Sequence, residues 1–174
     1  MKTKTNTLLM VMYVLSWLAL AGIIVKGSAF LITYCVSITN PSGAKNLYMG
    51  LNFADLRQFD FVQYTGVMIL LIALEVLQGY VAVMVIKVLS QIKMTSPFTM
   101  EVARKLERIS YVILLIWVVT MFYNGQITWL SKQLPGFEKH VIPGEFILIA
   151  GVVLIFSQIF KRGVEIQTEN ELTV

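Results

Sequence analysis

The sequence contains four long apolar stretches, which cover residues 8–38, 64–89, 109–130 and 145–160. A helix needs roughly 20 mostly apolar residues to cross a lipid bilayer. Because the bilayer offers the backbone no hydrogen-bond partners, a segment inside it must satisfy its own polar groups, as a helix does. Composition agrees, since 57% of residues are hydrophobic and 14% are charged, against about 25% charged in soluble domains. The sequence therefore predicts an all-α, polytopic membrane protein with four transmembrane helices in a single domain over residues 1–174.

The first apolar stretch follows a basic N-terminus, as the apolar region of a signal peptide does. Its run from Leu8 to Val25 is 18 residues long, and no small-residue cleavage motif follows it. We therefore expect a retained membrane anchor. Residues 27–38 allow two interpretations, a strand because apolar residues alternate there, or a continuation of the first helix. The helix is favoured, because an isolated strand at a membrane face would need a partner strand.

The basic residues predict the orientation in the membrane. Four polar segments separate or follow the spans: an outer loop at 39–63, an inner connector at 90–108, a turn at 131–144 and a tail at 161–174. One side of the membrane would carry nine basic residues: Lys2, Lys4, Lys87, Lys93, Arg104, Lys105, Arg108, Lys161 and Arg162. The other side would carry four: Lys45, Arg57, Lys132 and Lys139. Because Lys and Arg are enriched in cytoplasmic loops, both termini are predicted to be cytoplasmic.

Glu75 is the residue that fits least well in a lipid environment. It lies about 11 residues into the second span, close to the midplane of the bilayer at about 1.5 Å per residue. A charged side chain there costs about 2.5 to 3.5 kcal/mol on insertion scales, so it should face the protein interior. Gln78 and Gly79 follow on the same helix face. The functional interpretation is a ligand or proton site, and the structural one is an interhelical hydrogen bond.

Further polar residues are predicted near the outer ends of the spans. Lys26 and Glu145 have similar predicted depths and are expected to pair, close to Asn124 and Gln126. Glu75 is expected to lie deeper and to be a less suitable partner for Lys26. The alternative is that Lys26 extends its ammonium to the membrane interface. Ligand or proton candidates are therefore Glu75, Gln78, Lys26 and Glu145.

The inner connector carries the sequence TSPFTMEVARKLERIS. Pro97 should end the second helix, and Thr99 can cap the next one, with Glu101 in its first turn. The following Arg104, Lys105 and Arg108 could dock an acidic partner or anionic lipid head groups. The alternative is that they serve membrane orientation alone.

The tail ends the chain with a polar segment after Lys161 and Arg162. Gly163 is expected to cap the fourth helix. The following VEIQTE alternates apolar and polar residues, which predicts a short strand or extended peptide. Its acids are expected to pair with Arg104, Lys105 and Arg108 of the inner connector, or to present an edge to a partner strand.

Cysteine and histidine usage restricts the chemistry. The single cysteine, Cys35, excludes an intramolecular disulfide and a CxxC motif. The single histidine, His140, excludes bis-histidine haem ligation and an HExxH zinc motif. No serine has a histidine or lysine at a usable spacing for nucleophilic catalysis. We therefore expect no enzyme activity, no metal and no cofactor.

Two motifs resemble those of a known family. One is a PF[TS]xE-type element inside SPFTMEVARKLERISY at residues 96–111. The other is an RGxExxxExxLTV-like ending, present here as Arg162, Gly163, Glu165, Glu169, Leu172, Thr173 and Val174. Together they resemble the bacterial membrane-protein family known as domain of unknown function 2975, over essentially the whole chain. NPSGAKNLYMGL at residues 40–51 is similar to the variant found in Bacteroidetes-type bacteria.

The resemblance implies a function through the genes that accompany this family. Its members are often encoded beside a small helix-turn-helix regulator, which implies a membrane sensor or regulator in the bacterial inner membrane. Its cytoplasmic face would contact that transcription factor, without direct nucleic-acid binding by the chain itself. The partner-contact candidates are Pro97, Phe98, Thr99, Glu101, Arg104, Arg108, Arg162, Gly163, Glu165, Glu169, Leu172, Thr173 and Val174.

The alternative is a small transporter or ligand-binding helical bundle that uses Glu75 as its intramembrane acid. In either case the lipid bilayer surrounds the spans. A homo-oligomer is also expected, because small residues let membrane helices pack closely. The glycines that offer such faces are Gly22, Gly66, Gly79 and Gly151.

Overall fold

The computed structural model describes residues 2–45, 47–92 and 99–172. Its helices are α1 (Lys2–Thr39), α2 (Ala54–Phe59), α3 (Phe61–Gln91), α4 (Met100–Gln133) and α5 (Phe146–Leu172), with 3₁₀ helices at Pro41–Ala44 and Tyr48–Gly50. No strand occurs in these described residues. Among them, four segments are long and apolar enough to cross a membrane: Thr7–Thr39, Phe61–Gln91, Met100–Gln133 and Phe146–Glu169. The prediction of an all-α protein with four candidate spanning helices is confirmed, and the orientation of the termini stays a prediction.

The first helix continues without interruption through residues 27–38, so the favoured interpretation of that segment is correct. Thr33 supports this conformation, because its hydroxyl donates a 2.7 Å hydrogen bond to the carbonyl of Ala29, one turn earlier. Large apolar side chains along α1 are exposed, including Met10, Leu18 and Ile32. An exposed apolar surface of this extent fits contact with lipid.

α4 begins before residue 109, where the predicted third span starts, and most of the predicted inner connector is helical. α4 starts at Met100. Thr99 caps it, because its hydroxyl accepts a 3.3 Å hydrogen bond from the amide of Val102 and its carbonyl accepts one from Ala103. The predicted cap at Thr99, with Glu101 in the first turn of the helix, is therefore confirmed, and the bounds of the membrane span stay a prediction. Residues 100–108 are rich in good helix formers and extend the span as a helix.

The tail is also helical, so the predicted strand or extended peptide after Gly163 is wrong. α5 runs from Phe146 to Leu172 and passes through Gly163. Thr168 donates a 3.0 Å hydrogen bond to the carbonyl of Val164, one turn earlier. A glycine inside a helix costs only about 1 kcal/mol relative to alanine. The Lys, Arg, Glu and Gln residues around it favour a helix, and the helix therefore continues.

The chain divides into two compact units. We call Ala21–Gly79 with Ile116–Gly144 the loop unit, and Met1–Leu20, Tyr80–Leu115 and Glu145–Val174 the tail unit. The core of the tail unit is apolar and includes Met84, Val88, Val102, Ile109, Ile113 and Ala150. The core of the loop unit contains Phe30, Ala44, Leu47, Leu51, Phe53, Ala54, Leu56, Tyr64, Val67, Met68, Leu71, Tyr123, Ile127, Leu130 and Phe137. The single domain over residues 1–174 stays a prediction.

The predicted outer loop folds as a compact part of the loop unit. Asn40 caps the first 3₁₀ helix, because its side chain accepts a hydrogen bond from the amide of Ser42. Asp60 caps α3 by accepting a 2.8 Å hydrogen bond from the amide of Val62. Arg57 donates to the carbonyls of Ser37 and Ile38 at the end of α1. These contacts satisfy backbone groups that helix ends leave without partners.

The glycines expected to offer close-packing faces differ in their surroundings. A Cβ on Gly66 would lie 3.0 Å from Nε2 of Gln126, and one on Gly79 would lie 3.7 Å from Cγ2 of Ile23. These two glycines therefore serve packing inside the loop unit. Gly22 and Gly151 have open space where a Cβ would lie. Homo-oligomerisation through such positions stays a prediction.

Candidate functional site

Within the loop unit, α1 and α3 approach closely at Gly27 and Glu75. A Cβ on Gly27 would lie 3.2 Å from the Cβ of Glu75. The glycine therefore provides the room in which the glutamate stem packs. Small residues allow helix backbones in membranes to come this close. As a result Glu75, near the middle of the 31-residue α3, packs against α1.

The approach brings Glu75 into an ion pair with Lys26. Lys26 Nζ lies 2.7 Å from Glu75 Oε1, and the two side chains are 31% and 6% exposed, respectively. Lys26 Nζ also lies 5.8 Å from the ring centroid of Phe30, within the range of a cation–π contact. The expected Lys26–Glu145 pair is therefore wrong, as is the expectation that Glu75 lies too deep for Lys26. The close contact at Gly27 sets the register that makes the pair.

One oxygen of this pair has no partner in the part of the chain that the structure describes. Glu75 Oε2 is buried and accepts no hydrogen bond there. Leaving a buried acceptor unsatisfied costs about 1–3 kcal/mol, and more for a charged group. Lys26 carries three N–H donors and uses one toward Oε1. The pair therefore offers an acceptor and donors next to one another.

A partly enclosed cavity of about 270 Å³ adjoins the pair in the loop unit. Its polar lining comes from Lys26, Glu75, Gln78 and His140. Its apolar lining comes from Phe30, Leu51, Leu71, Leu74, Val141, Ile142 and Pro143. Gln78 thus shares a cavity with Glu75, as its position on the same helix face predicts. The place of His140 in the sequence does not predict that it lines this cavity, because a whole helix and a loop separate it from Glu75.

Asn124 holds the segment that closes this cavity. Its side-chain amide donates a 2.8 Å hydrogen bond to the carbonyl of Ile142, and its Oδ1 accepts a 2.9 Å hydrogen bond from the amide of Ile142. Both contacts lie in the loop unit, where Ile142 lines the cavity. Asn124 was predicted as one member of a polar cluster. Its observed role is to position the segment around Val141 and Ile142.

The other members of the predicted polar cluster lie elsewhere. Gln126 Nε2 donates a 3.2 Å hydrogen bond to Oε1 of Gln63 in the loop unit. Glu145 is exposed in the turn before α5, and its carbonyl accepts a hydrogen bond from the amide of Leu148. Neither lines the cavity. Glu145 therefore does not belong to the candidate site formed by Lys26, Glu75, Gln78 and His140.

The partner-contact candidates on α4 form a polar surface in the tail unit. Lys105 Nζ donates to Glu101 Oε1 at 2.8 Å, and Gln91 Nε2 donates to the same oxygen at 2.8 Å. Lys105 also donates to Oε1 of Gln91. Arg104 and Arg108 are exposed on α4. The candidates Pro97, Phe98, Thr173 and Val174 lie outside the described residues.

The tail makes a charge contact with α4, but not the one expected. Lys161 Nζ lies 2.8 Å from Glu107 Oε1. Arg162 Nη1 lies 2.7 Å from Oε2 of Glu165, three residues further along α5. The expectation that tail acids pair with the basic residues of the connector is therefore wrong for Glu165. A helical tail turns Glu165 back toward Arg162, and the contact with α4 is made by a tail lysine and an α4 acid.

Comparison with known proteins identifies a family without naming an activity. Among the described residues, no three His, Cys, Asp or Glu side chains group as a metal site would need. Searches of curated proteins and of solved structures found no match. A family model described as "Protein of unknown function (DUF2975)" matches residues 36–174, a range that includes Glu75, Asn124 and His140. With four helices able to cross a membrane, the chain is a multi-pass membrane protein that belongs to the DUF2975 family.

Proposed function

We propose that this protein is a ligand-responsive sensor or regulator of the bacterial inner membrane. The loop unit binds a small molecule at the Lys26–Glu75 pair. The cytoplasmic face, formed by the start of α4 and the end of α5, contacts a small helix-turn-helix transcription factor. The observation that carries the ligand-binding part is the buried Glu75 Oε2, which has no hydrogen-bond partner among the described residues, together with a cavity of about 270 Å³ that Glu75 lines.

The energetics of the pair favour a functional role. Burying the Glu75 carboxylate costs several kcal/mol, and a packed apolar residue in place of a buried charge is often as stable or more so. Ionisable residues within membrane spans are rare and tend to mark functional sites. In the part of the chain that the structure describes, the pair also leaves one carboxylate oxygen unsatisfied, which adds to its cost. A ligand that donates a hydrogen bond to Oε2 recovers that free energy as affinity.

Two features support a contact surface at the cytoplasmic face. On α4, Arg104 and Arg108 are exposed, and on α5 the last turns carry the exposed Glu165 and Ile166. α4 thus exposes basic residues, and α5 exposes an acidic and an apolar residue, side chains that a protein partner can contact. The class of partner rests on the resemblance described above, because relatives are often encoded beside a small helix-turn-helix regulator. The orientation rests on the excess of basic residues on one side of the membrane.

A pull-down from native membranes tests the regulator role. The baits are the full-length protein and a version that ends at Arg162, and mass spectrometry identifies what each retains. We expect a small helix-turn-helix protein with the full-length bait alone, because the shorter bait lacks the exposed end of α5. The shorter bait keeps Lys161 and its contact with Glu107, so its thermal unfolding in detergent should match that of the full chain. Retention by both baits, or by neither, would contradict the proposal.

Proton-linked transport is the second candidate function, favoured by one observation. Glu75 lies near the middle of a 31-residue helix that can cross the membrane, which is where transporters place coupling acids. If transport is the function, proteoliposomes with the native protein take up substrate with protons, and Glu75→Gln abolishes this flux. A Glu75→Gln variant that loses flux but keeps its binding partner would favour transport over regulation.

A further inference from the structure

We propose that the Lys26–Glu75 site takes a small uncharged amphiphile, which carries a hydrogen-bond donor and an acceptor side by side on a compact apolar group. This inference rests on the proposed ligand-binding function and specifies its ligand class. Primary amides attached to a single ring are one chemical type that fits. Three properties of the site lead to this class: its hydrogen-bonding groups, its charge and its size.

The hydrogen-bonding groups require both a donor and an acceptor on the ligand. Glu75 Oε2 is buried and has no hydrogen-bond partner within residues 2–45, 47–92 and 99–172, and an ionised carboxylate oxygen accepts only. The ligand must therefore donate to it. Lys26 donates to Oε1 at 2.7 Å and has N–H groups left to donate, so an acceptor on the ligand completes the arrangement. Gln78 lines the same cavity and can serve either role.

The charge of the site favours an uncharged ligand. Lys26 and Glu75 lie 2.7 Å apart, so each already compensates the charge of the other. A charged ligand would bring an uncompensated charge among apolar side chains, where burying a charge is costly unless it is paired. An amide has dipoles that match both members of the pair without this cost.

The size and lining of the cavity define the apolar part. The volume is about 270 Å³, and Phe30, Leu71 and Leu74 contribute apolar walls. For comparison, an apolar cavity of about 150 Å³ is large enough to bind benzene. The space therefore fits one ring with a small polar substituent.

The test measures the affinity of four fluorinated probes for the full-length protein in nanodiscs, with fluorine NMR of the ligands as the readout. The probes share one ring and differ in the polar group: para-fluorobenzamide, para-fluorobenzylammonium, para-fluorobenzoate and para-fluorotoluene. Empty nanodiscs correct for partition into lipid. We expect the amide to bind at least about 10-fold more tightly than the other three, because a hydrogen bond to a charged group is worth a factor of this order.

Three variants assign the binding to the site. Glu75→Gln should weaken the amide by about 10-fold or more. Glu145→Gln is the matched control, because Glu145 is exposed outside the cavity, and it should leave the affinity unchanged. Val141→Trp keeps the ion pair and fills the cavity from a non-helical position that is 47% exposed. It should abolish binding without affecting the helices. A loss of binding in both variants would therefore not be explained by misfolding of Glu75→Gln alone.

The outcomes separate this inference from the proposed function. Amide binding that Glu75→Gln and Val141→Trp both reduce supports the inference. A charged probe that binds as tightly, with the same dependence on Glu75, overturns the uncharged class and leaves a ligand site in place. If no probe depends on Glu75 or Val141, the inference fails. The pull-down described above uses no probe and judges the regulator role separately.

Discussion

The side chain of Asn124 is joined to the backbone of Ile142 by two hydrogen bonds, one in each direction. A single asparagine thereby satisfies both polar groups of one residue in a segment that has no regular secondary structure. Because Ile142, with Val141 and His140, lines the cavity that Glu75 also lines, Asn124 helps to position one wall of that cavity without lining it.

Replacing Asn124 should loosen this segment. Asn124→Ala removes both hydrogen bonds, and each lost partner of a buried group costs about 1–3 kcal/mol. We expect faster amide hydrogen exchange at residues 138–143, measured by mass spectrometry in nanodiscs. Asn124→Asp is the matched control, because it keeps the acceptor for the amide of Ile142 and should preserve part of the protection. Unchanged exchange in Asn124→Ala would show that other contacts hold the segment.

The stability of the protein should depend on whether one or both members of the ion pair are replaced. Lys26→Met leaves the buried Glu75 without its partner, which should destabilise the protein by about 3 kcal/mol. The double variant Lys26→Met/Glu75→Leu should recover most of this loss, because an apolar pair needs no desolvated charge. Thermal and denaturant unfolding in detergent measure both. Lys132→Met, at an exposed lysine, controls for the loss of a positive charge and should change stability by less than about 0.5 kcal/mol.

The close approach of α1 and α3 predicts different effects for two glycines of the same helix. Gly22→Ala meets open space and should stabilise the protein by up to about 1 kcal/mol, since alanine favours a helix. Gly27→Val would press on the Cβ of Glu75, which lies 3.2 Å from the position of the new Cβ. Overpacking of this kind costs about 1–3 kcal/mol. Equal unfolding temperatures for the two variants would contradict a tight contact at Gly27.

The orientation of the chain can be tested with single cysteines. Cys35 is the one native cysteine, so Cys35→Ser provides a background without thiols. We expect Val141→Cys to react with a membrane-impermeant maleimide in intact cells from which the outer membrane has been removed. Glu165→Cys should react only after the inner membrane is permeabilised. The opposite pattern would place both termini outside the cytoplasm.

The spans were predictable because long apolar runs have few alternatives in a membrane. The partner of Lys26 was not predictable. Counting residues gives the depth of Lys26 relative to the start of α1 and the depth of Glu75 relative to the start of α3, and the sequence does not relate the two starts. The offset between the two helices depends on the contact at Gly27, which is a three-dimensional property. His140 was beyond sequence reasoning for a similar reason, since contacts between distant parts of the chain, among them the hydrogen bonds of Asn124 to Ile142, bring that segment to the cavity.

The tail shows a different limit. The order Val164, Glu165, Ile166 and Gln167 alternates apolar and polar residues, which a strand would use on its two faces. In the structure these residues are part of α5, where half-exposed and exposed positions accept either type. Alternation over a short exposed segment therefore carries little information about its conformation.

An unbroken α5 has a consequence for how a signal would leave the membrane. Because the helix runs from Phe146 to Leu172 without interruption, its exposed end is fixed in angle and height to the part that lies in lipid. A rotation of the helix by one residue, about 100° at 3.6 residues per turn, would turn Glu165 and Ile166 by the same angle. A partner bound at this end would therefore respond to rotation of the helix about its axis, and not to the release of a flexible strand.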